Sequence, residues 1–156
     1  MPSVLIQLAD AVKTMLNQAS AQGLFSKQFA AERIYDAMRP LEEMETMRVD
    51  VVLGDRKQVP LDRSRQQNTL RVEICIRQIV TEEAGSAAEK AKLDALVSFM
   101  EEIDQYTSLP GHRRPPAFTA AGWQGSELIY PFLPRQLRES RQFISLLRLT
   151  YLAVTT

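Results

Sequence analysis

Residues that carry chemistry are scarce in this sequence. It holds one cysteine, Cys75, and one histidine, His112. A single cysteine excludes an intramolecular disulfide and suits a reducing compartment. Together the two residues offer at most two soft or imidazole ligands, fewer than a zinc site takes. A Ser-His-Asp arrangement would rest on that same histidine, which stands in a loop beside Arg113 and Arg114. Glycine-rich nucleotide loops, paired CxxC and HExxH are all missing. No apolar run approaches the length of a transmembrane helix. The apolar face from Val4 to Leu16 is interrupted by Asp10 and Lys13 and lacks a basic leader, so it does not read as a signal peptide, and a cytosolic site of synthesis is expected. The formal net charge is zero. That argues against broad attraction to nucleic acid or to an anionic membrane.

What is present fits one domain over residues 1–156, with 45% hydrophobic and 24% charged residues. The cations are mostly arginine: 14 Arg against 5 Lys. Arginine is favoured at protein interfaces, where lysine is depleted. Charge is uneven along the chain. Residues 1–104 hold 13 basic and 17 acidic groups, and residues 105–156 hold 6 and 2, balances of −4 and +4.

Apolar spacing predicts a helix from Ser3 to about Gln22, with Ser3 as N-cap and Gly23 as stop. Ile34 and Tyr35 suggest a short strand closed by Pro40, and residues 41–45 an acidic turn. Met47, Val49, Val51 and Leu53 alternate with Arg48 and Asp50, the pattern of a half-buried strand. A second strand follows at 70–77, pairing antiparallel with the first. The stretch between them, Gly54 to Asn68, reads as a long loop, the kind that is functional or disordered. Ser86 and Glu89 form a capping-box pattern that opens a second helix, with Leu93, Leu96, Val97, Met100 and Ile103 as its buried stripe. Residues 111–125 read as an irregular loop holding Trp123, residues 127–132 as a short strand, and residues 135–141 as a polar bridge. From Phe143 to Val154 both alternating faces are apolar, so the last strand is expected to be central or covered by a partner. The fold class expected is α+β: a mostly antiparallel sheet with two main helices packed against it, in the order helix-strands-helix-strands.

No residue set converges on catalysis. The carboxylates Glu101, Glu102 and Asp104 read as a solvated helix face, His112 as a solvated loop side chain, and Cys75 as an inert, partly buried thiol. The basic stretch with Arg56, Lys57, Arg63 and Arg65 has no interleaved aromatic, so partner contact is favoured over single-strand nucleic-acid binding. No catalytic, cofactor-binding or metal residue is expected. Candidate subunit or lumen contacts, chosen by local character, are Arg56, Lys57, Arg63, Arg65, Trp123, Arg135, Arg138 and Arg141.

Three stretches carry a family likeness. They are residues 47–53 with the following Arg63-Ser64-Arg65, residues 70–76 with the helix after them, and the ending from Leu137 through Phe143 to Tyr151. In this layout the chain resembles bacteriophage tail terminator (tail completion) proteins. The resemblance implies a ring, usually a hexamer, that caps the tail tube, ends its polymerisation and forms the head-tail joining surface. It also implies no active site and a place in the virion tail, with the host cytoplasm before assembly. Partners would be further copies of the chain, the tail tube protein and a head-completion or connector protein, with transient non-specific contact to DNA in the lumen. Alternatives are a head-side neck or connector protein, a small nucleic-acid-binding regulator, and a small enzyme using Glu and Arg side chains.

Overall fold

The computed structural model describes residues 3–35 and 46–155. The expected close of the first strand at Pro40 and the acidic turn at 41–45 lie outside the described residues. Helix α1 (Val4–Ala21) begins where the Ser3 Oγ accepts from the Ile6 N–H at 3.4 Å, satisfying an amide that the first turn leaves without an intrahelical partner. It ends at Gly23, whose φ of 73° suits a residue without a Cβ. The Gly23 and Leu24 N–H groups return to the Ser20 and Ala19 carbonyls. Helix α2 (Ala87–Ser108) opens on the expected capping box: the Glu89 N–H donates to Ser86 Oγ at 3.1 Å, and the Glu89 carboxylate accepts from the Gly85 N–H at 3.3 Å. Its fully buried stripe is Leu96, Phe99, Met100 and Ile103, with Leu93 and Val97 at its margin.

The strands are β1 (Glu32–Ile34), β2 (Arg48–Pro60), β3 (Gln66–Ile79), β4 (Ala121–Tyr130) and β5 (Gln142–Thr155), with a short helix α3 (Pro134–Ser140) before the last. Among the described residues these form one sheet in the order β1-β2-β3-β5-β4. β1 runs parallel to β2, and every other pairing is antiparallel. The fold is therefore α+β with a mostly antiparallel sheet. One sheet face carries the core. Val51, Ile74, Leu147 and Leu128 form one cross-strand row, and Leu53, Val72 and Leu149 the next. α1 packs on β2 and β3, and α2 on β4 and β5. Phe25, Phe29, Phe99 and Tyr106 join the two helices through tilted and edge-on ring contacts at 5.2–6.2 Å.

Three expectations are corrected. Residues 54–68 are not a long loop: β2 and β3 continue through them as a hairpin, and the turn occupies only 61–65. Trp123 is not in an irregular loop but in β4, which begins at Ala121 rather than at Glu127. Residues 135–141 are not an extended polar bridge. They hold α3, started by Pro134 in its first turn and stopped by Arg141 at φ 52°. As expected, β5 is an interior strand, between β3 and β4, but its face away from the main helices is not uniformly covered. Ile144 at its start is 7% exposed, whereas Val154 near its end is 48% exposed. The covering at the start comes from α3 and the residues before it, which lie over the face opposite the main helices: Leu133 and Gln136 share a cavity of about 250 Å3 with Cys75, Ile144 and Leu146.

Candidate functional site

Past Gly54 the β2–β3 hairpin runs on to its turn at 61–65 beside the end of β5, which β4 borders as far as Ala153, and this part forms a tongue. Its construction depends on a bulge. The register between β2 and β3 shifts between Leu53 and Arg56, and a Cβ added at Gly54 would run into the Arg71 carbonyl. An extra residue in one strand reverses the alternation beyond it. Before the bulge Val49, Val51 and Leu53 face the helices. After it Arg56, Gln58 and Pro60 lie on that side, while Lys57 and Val59 turn to the opposite face.

The helix-side face of the tongue is a polar ladder. Arg56 Nε donates to Asn68 Oδ1 at 2.9 Å, Asn68 Nδ2 donates to Thr155 Oγ1 at 2.9 Å, and Arg56 also reaches Gln58 Oε1 at 3.1 Å. The Gln58 amide donates to Gln66. The opposite face mixes apolar and polar side chains: Val59, Gln67 and Val154 form one row, and Lys57, Thr69 and Leu152 the row below. The tip is closed by Asp62. Its carboxylate accepts from the Ser64 and Arg65 N–H groups, both at 2.9 Å, and from the Arg65 guanidinium at 2.6 Å. The Ser64 amide, followed by the Arg65 side chain, holds the Asp62 carboxyl below its ordinary range. The exposed apolar side chains here are Val59 at 44% and Leu61 at 48%.

Further along the same sheet face, charges alternate across the strands. Arg148 stands between Glu73 on β3 and Glu127 on β4, and donates to Glu73 Oε1 at 3.1 Å. Arg71 pairs with Asp55 at 2.8 Å. Asp50 and Arg77 are buried on this face and partnered. Cys75, opposite Asp50, is 1% exposed, and burial pushes its thiol up to about 12, so it is protonated at neutral pH.

The structure sorts the candidate contacts into groups. Arg56, Lys57, Arg63 and Arg65 share the tongue. Among the described residues, Lys57 and Arg63 have no ion-pair partner. Arg135 pairs with Glu139 along exposed α3 at 3.0 Å, and Arg138 is on the same short helix. Trp123 is half-buried against the core, with the Arg113 guanidinium 5.3 Å from its ring centroid. Arg141 is taken up within the chain: its guanidinium binds the Glu82 carbonyl at 2.6 Å and the Glu89 carboxylate at 2.5 Å. That contact, then the Gly85 N–H, holds the Glu89 carboxyl low.

The other weighed groups are also structural. His112 is not freely solvated: its ring stacks on Tyr106 at 4.0 Å and Nδ1 meets the Tyr106 carbonyl oxygen at 3.0 Å. Glu102 binds the Ser26 N–H and hydroxyl, and Asp104 accepts from Ser126 Oγ at 2.5 Å, so both tie α2 to neighbouring segments. Among the described residues no group of three His, Cys, Asp or Glu is arranged to hold a metal ion, and no helix is long and apolar enough to cross a membrane. The residues that sequence reasoning missed are apolar: Val59 and Leu61. Alternation around Val59 was the available signal, but the bulge hides its phase.

No protein-family model matches the chain, and comparison with curated proteins finds no match. Among solved structures, the chain is similar to one described as the PVC sheath/tube terminator of an extracellular contractile injection system in its extended state. That likeness has a TM-score of 0.42 and 12% sequence identity, and it covers 100% of this chain. This chain spans 58% of the length of that one.

Proposed function

We propose that this protein is a structural assembly subunit of the tail-terminator kind, acting as one domain without catalysis. In this reading copies form a ring, a hexamer by family likeness, that caps a tail tube, stops its growth and presents a joining surface to the head side. The protein then works in the virion tail, and its partners are its own copies, the tube protein and a head-completion protein. DNA passing through the ring meets at most weak, sequence-independent phosphate contacts.

The observation that carries this reading is the tongue, whose hairpin exposes Val59 and Leu61 beside Arg56, Lys57, Arg63 and Arg65. Apolar side chains rimmed by cations on a hairpin tip suit contact with another surface. Assembly is favoured over catalysis because the titratable groups with distinct environments serve the fold. Cys75 is a buried, protonated thiol, Glu89 clamps Arg141, and Asp62 shapes a turn. The three resembling sequence stretches then select the tail terminator among assembly proteins. The description of the solved structure above names the same kind of object, but the proposal stands without it.

Electron microscopy of the purified protein, and of tails made with and without it, tests this. The expected results are rings with a central hole, the chain at tube ends, and tails of uncontrolled length in its absence. Normal-length tails that fail to join heads would instead assign it to the head-side neck. Absence from purified tails would sink both readings.

A further inference from the structure

A second exposed apolar patch lies at the ends of α1 and α2, far in sequence from the hairpin. Leu24 is 55% exposed and Leu109 48% exposed. They border a shallow cavity of about 230 Å3, which Phe25 and Tyr106 also line together with Glu102 and Gln105. Its surroundings hold more carboxylates than cations. Near the hollow the last turns of α2 carry Glu101, Glu102 and Asp104, against Lys27 and Arg113, whose Nε donates to the Ser108 carbonyl at 2.9 Å. The hairpin is the reverse. From Asp55 to Gln66 it has four cations against two carboxylates, a net charge of +2, around Val59 and Leu61. One surface is an apolar hollow beside carboxylates, and the other an apolar projection beside guanidinium and ammonium groups.

We propose that the hairpin tip of one copy seats on the α1–α2 ends of a second copy, with Leu61 and Val59 entering the hollow between Leu24 and Leu109 and Lys57 and Arg63 facing Glu101 and Glu102. This rests on the reading that the chain assembles with itself, and it assigns the two surfaces that meet. Tip against tip would set basic on basic, and end against end acidic on acidic. The pairing that remains joins two different surfaces, which is the kind of contact that builds rings. Apolar burial supplies the affinity, while the charges choose the partner surface. Glu102 keeps its hydrogen bonds to Ser26 and contributes through its charge.

Two measurements on the full chain test the contact. In the first, a chain carrying Leu61→Cys is mixed with one carrying Leu109→Cys under mild oxidation. Cys75 is buried and protonated, so it adds no background. The mixture is expected to yield a disulfide-linked dimer that neither chain forms alone. Equal dimer in the mixture and in the separate chains overturns the contact. In the second, sedimentation follows self-association of Lys57→Glu/Arg63→Glu and of Glu101→Lys. Each is expected to associate at least tenfold more weakly than the wild type, with association restored on mixing the two. All these positions are exposed, and far-UV circular dichroism verifies that each variant is folded. If the wild type forms rings while cross-linking and charge reversal are both silent, this contact is wrong and the assembly reading stands. A wild-type chain that stays monomeric at the highest attainable concentration and is absent from tails removes both.

Discussion

Strands β2, β3 and β5 each pass through two environments. Within the body they are covered by α1 and α2, and Val51, Ile74 and Leu147 in one row are fully buried. In the tongue the same strands keep their hydrogen-bonded pairing, but the row of Val59, Gln67 and Val154 lies on the face away from the main helices, with Val59 and Val154 at 44% and 48% exposure. Backbone pairing is shared by the two regions, so it cannot account for their difference. Helix cover does. The body is held by apolar burial, which is general and strong, while the tongue is held by local devices: the Asp62 turn, the Arg56–Asn68–Thr155 ladder and the bulge at Gly54. A surface built that way can present apolar side chains without contributing much to global stability.

The largest expected contrast comes from truncating one side chain in each region. Phe99→Ala empties a fully buried site against Phe25 and Phe29 and should cost about 3–5 kcal/mol in urea unfolding. Leu61→Ala should cost no more than about 0.5 kcal/mol. Similar losses at the two positions would mean that the tongue is part of the core.

Gly54→Ala comes next, since it strikes the junction between the regions. The new methyl meets the Arg71 carbonyl, and backbone must move, at about 1–3 kcal/mol. Amide exchange should accelerate across 56–66 more than across 70–77. Uniform acceleration would show that bulge and body open as one unit.

Acid should separate the regions in another way. The Glu89 carboxyl, held below its ordinary 4.5 by Arg141, contributes stability that is present above that value and lost as pH falls through its lower folded value. Glu89→Gln should therefore flatten the acid limb of the global stability profile. Asp62 has the same sign, with its ordinary value at 3.8, but it acts in the exposed tip. Asp62→Asn should change exchange at 61–65 and leave the global profile as it is. A changed global acid limb in Asp62→Asn would break the distinction.

The smallest effect concerns a residue of the body's second face. Cys75 should resist a thiol reagent at mildly alkaline pH in the folded chain and react at once in denaturant. Rapid labelling of the folded chain would show that α3 lifts from the sheet.

Much of the fold was legible because its signals are local. Ser3 and Gly23 bracket α1, Ser86 and Glu89 open α2, and period-two alternation marks β2, β3 and β5 within the body. The hairpin was not legible, because Gly54-Asp55 and Pro60 read as a break when in fact they flank a bulge and a strand end. β4 was half missed for a similar reason: Gly122, Gly125 and two register shifts disrupt its alternation. α3 left one sign, Pro134 with Arg135 and Glu139 spaced one turn apart. The basic character of the candidate surface was visible in Arg56, Lys57, Arg63 and Arg65. The fate of Arg141 was not, because its partner Glu89 is 52 residues away.

The amino-acid sequence alone therefore determined the two long helices, the strand faces inside the body and the absence of a recognisable catalytic motif, since caps and periodicity act over a few neighbouring residues. Tertiary structure decided which cations are spent within the chain, which face of β5 is covered and where α3 folds back. It also decided that Val59 and Val154 share one exposed face. Those outcomes depend on strand register and on helix cover, and both are set by residues far apart along the chain.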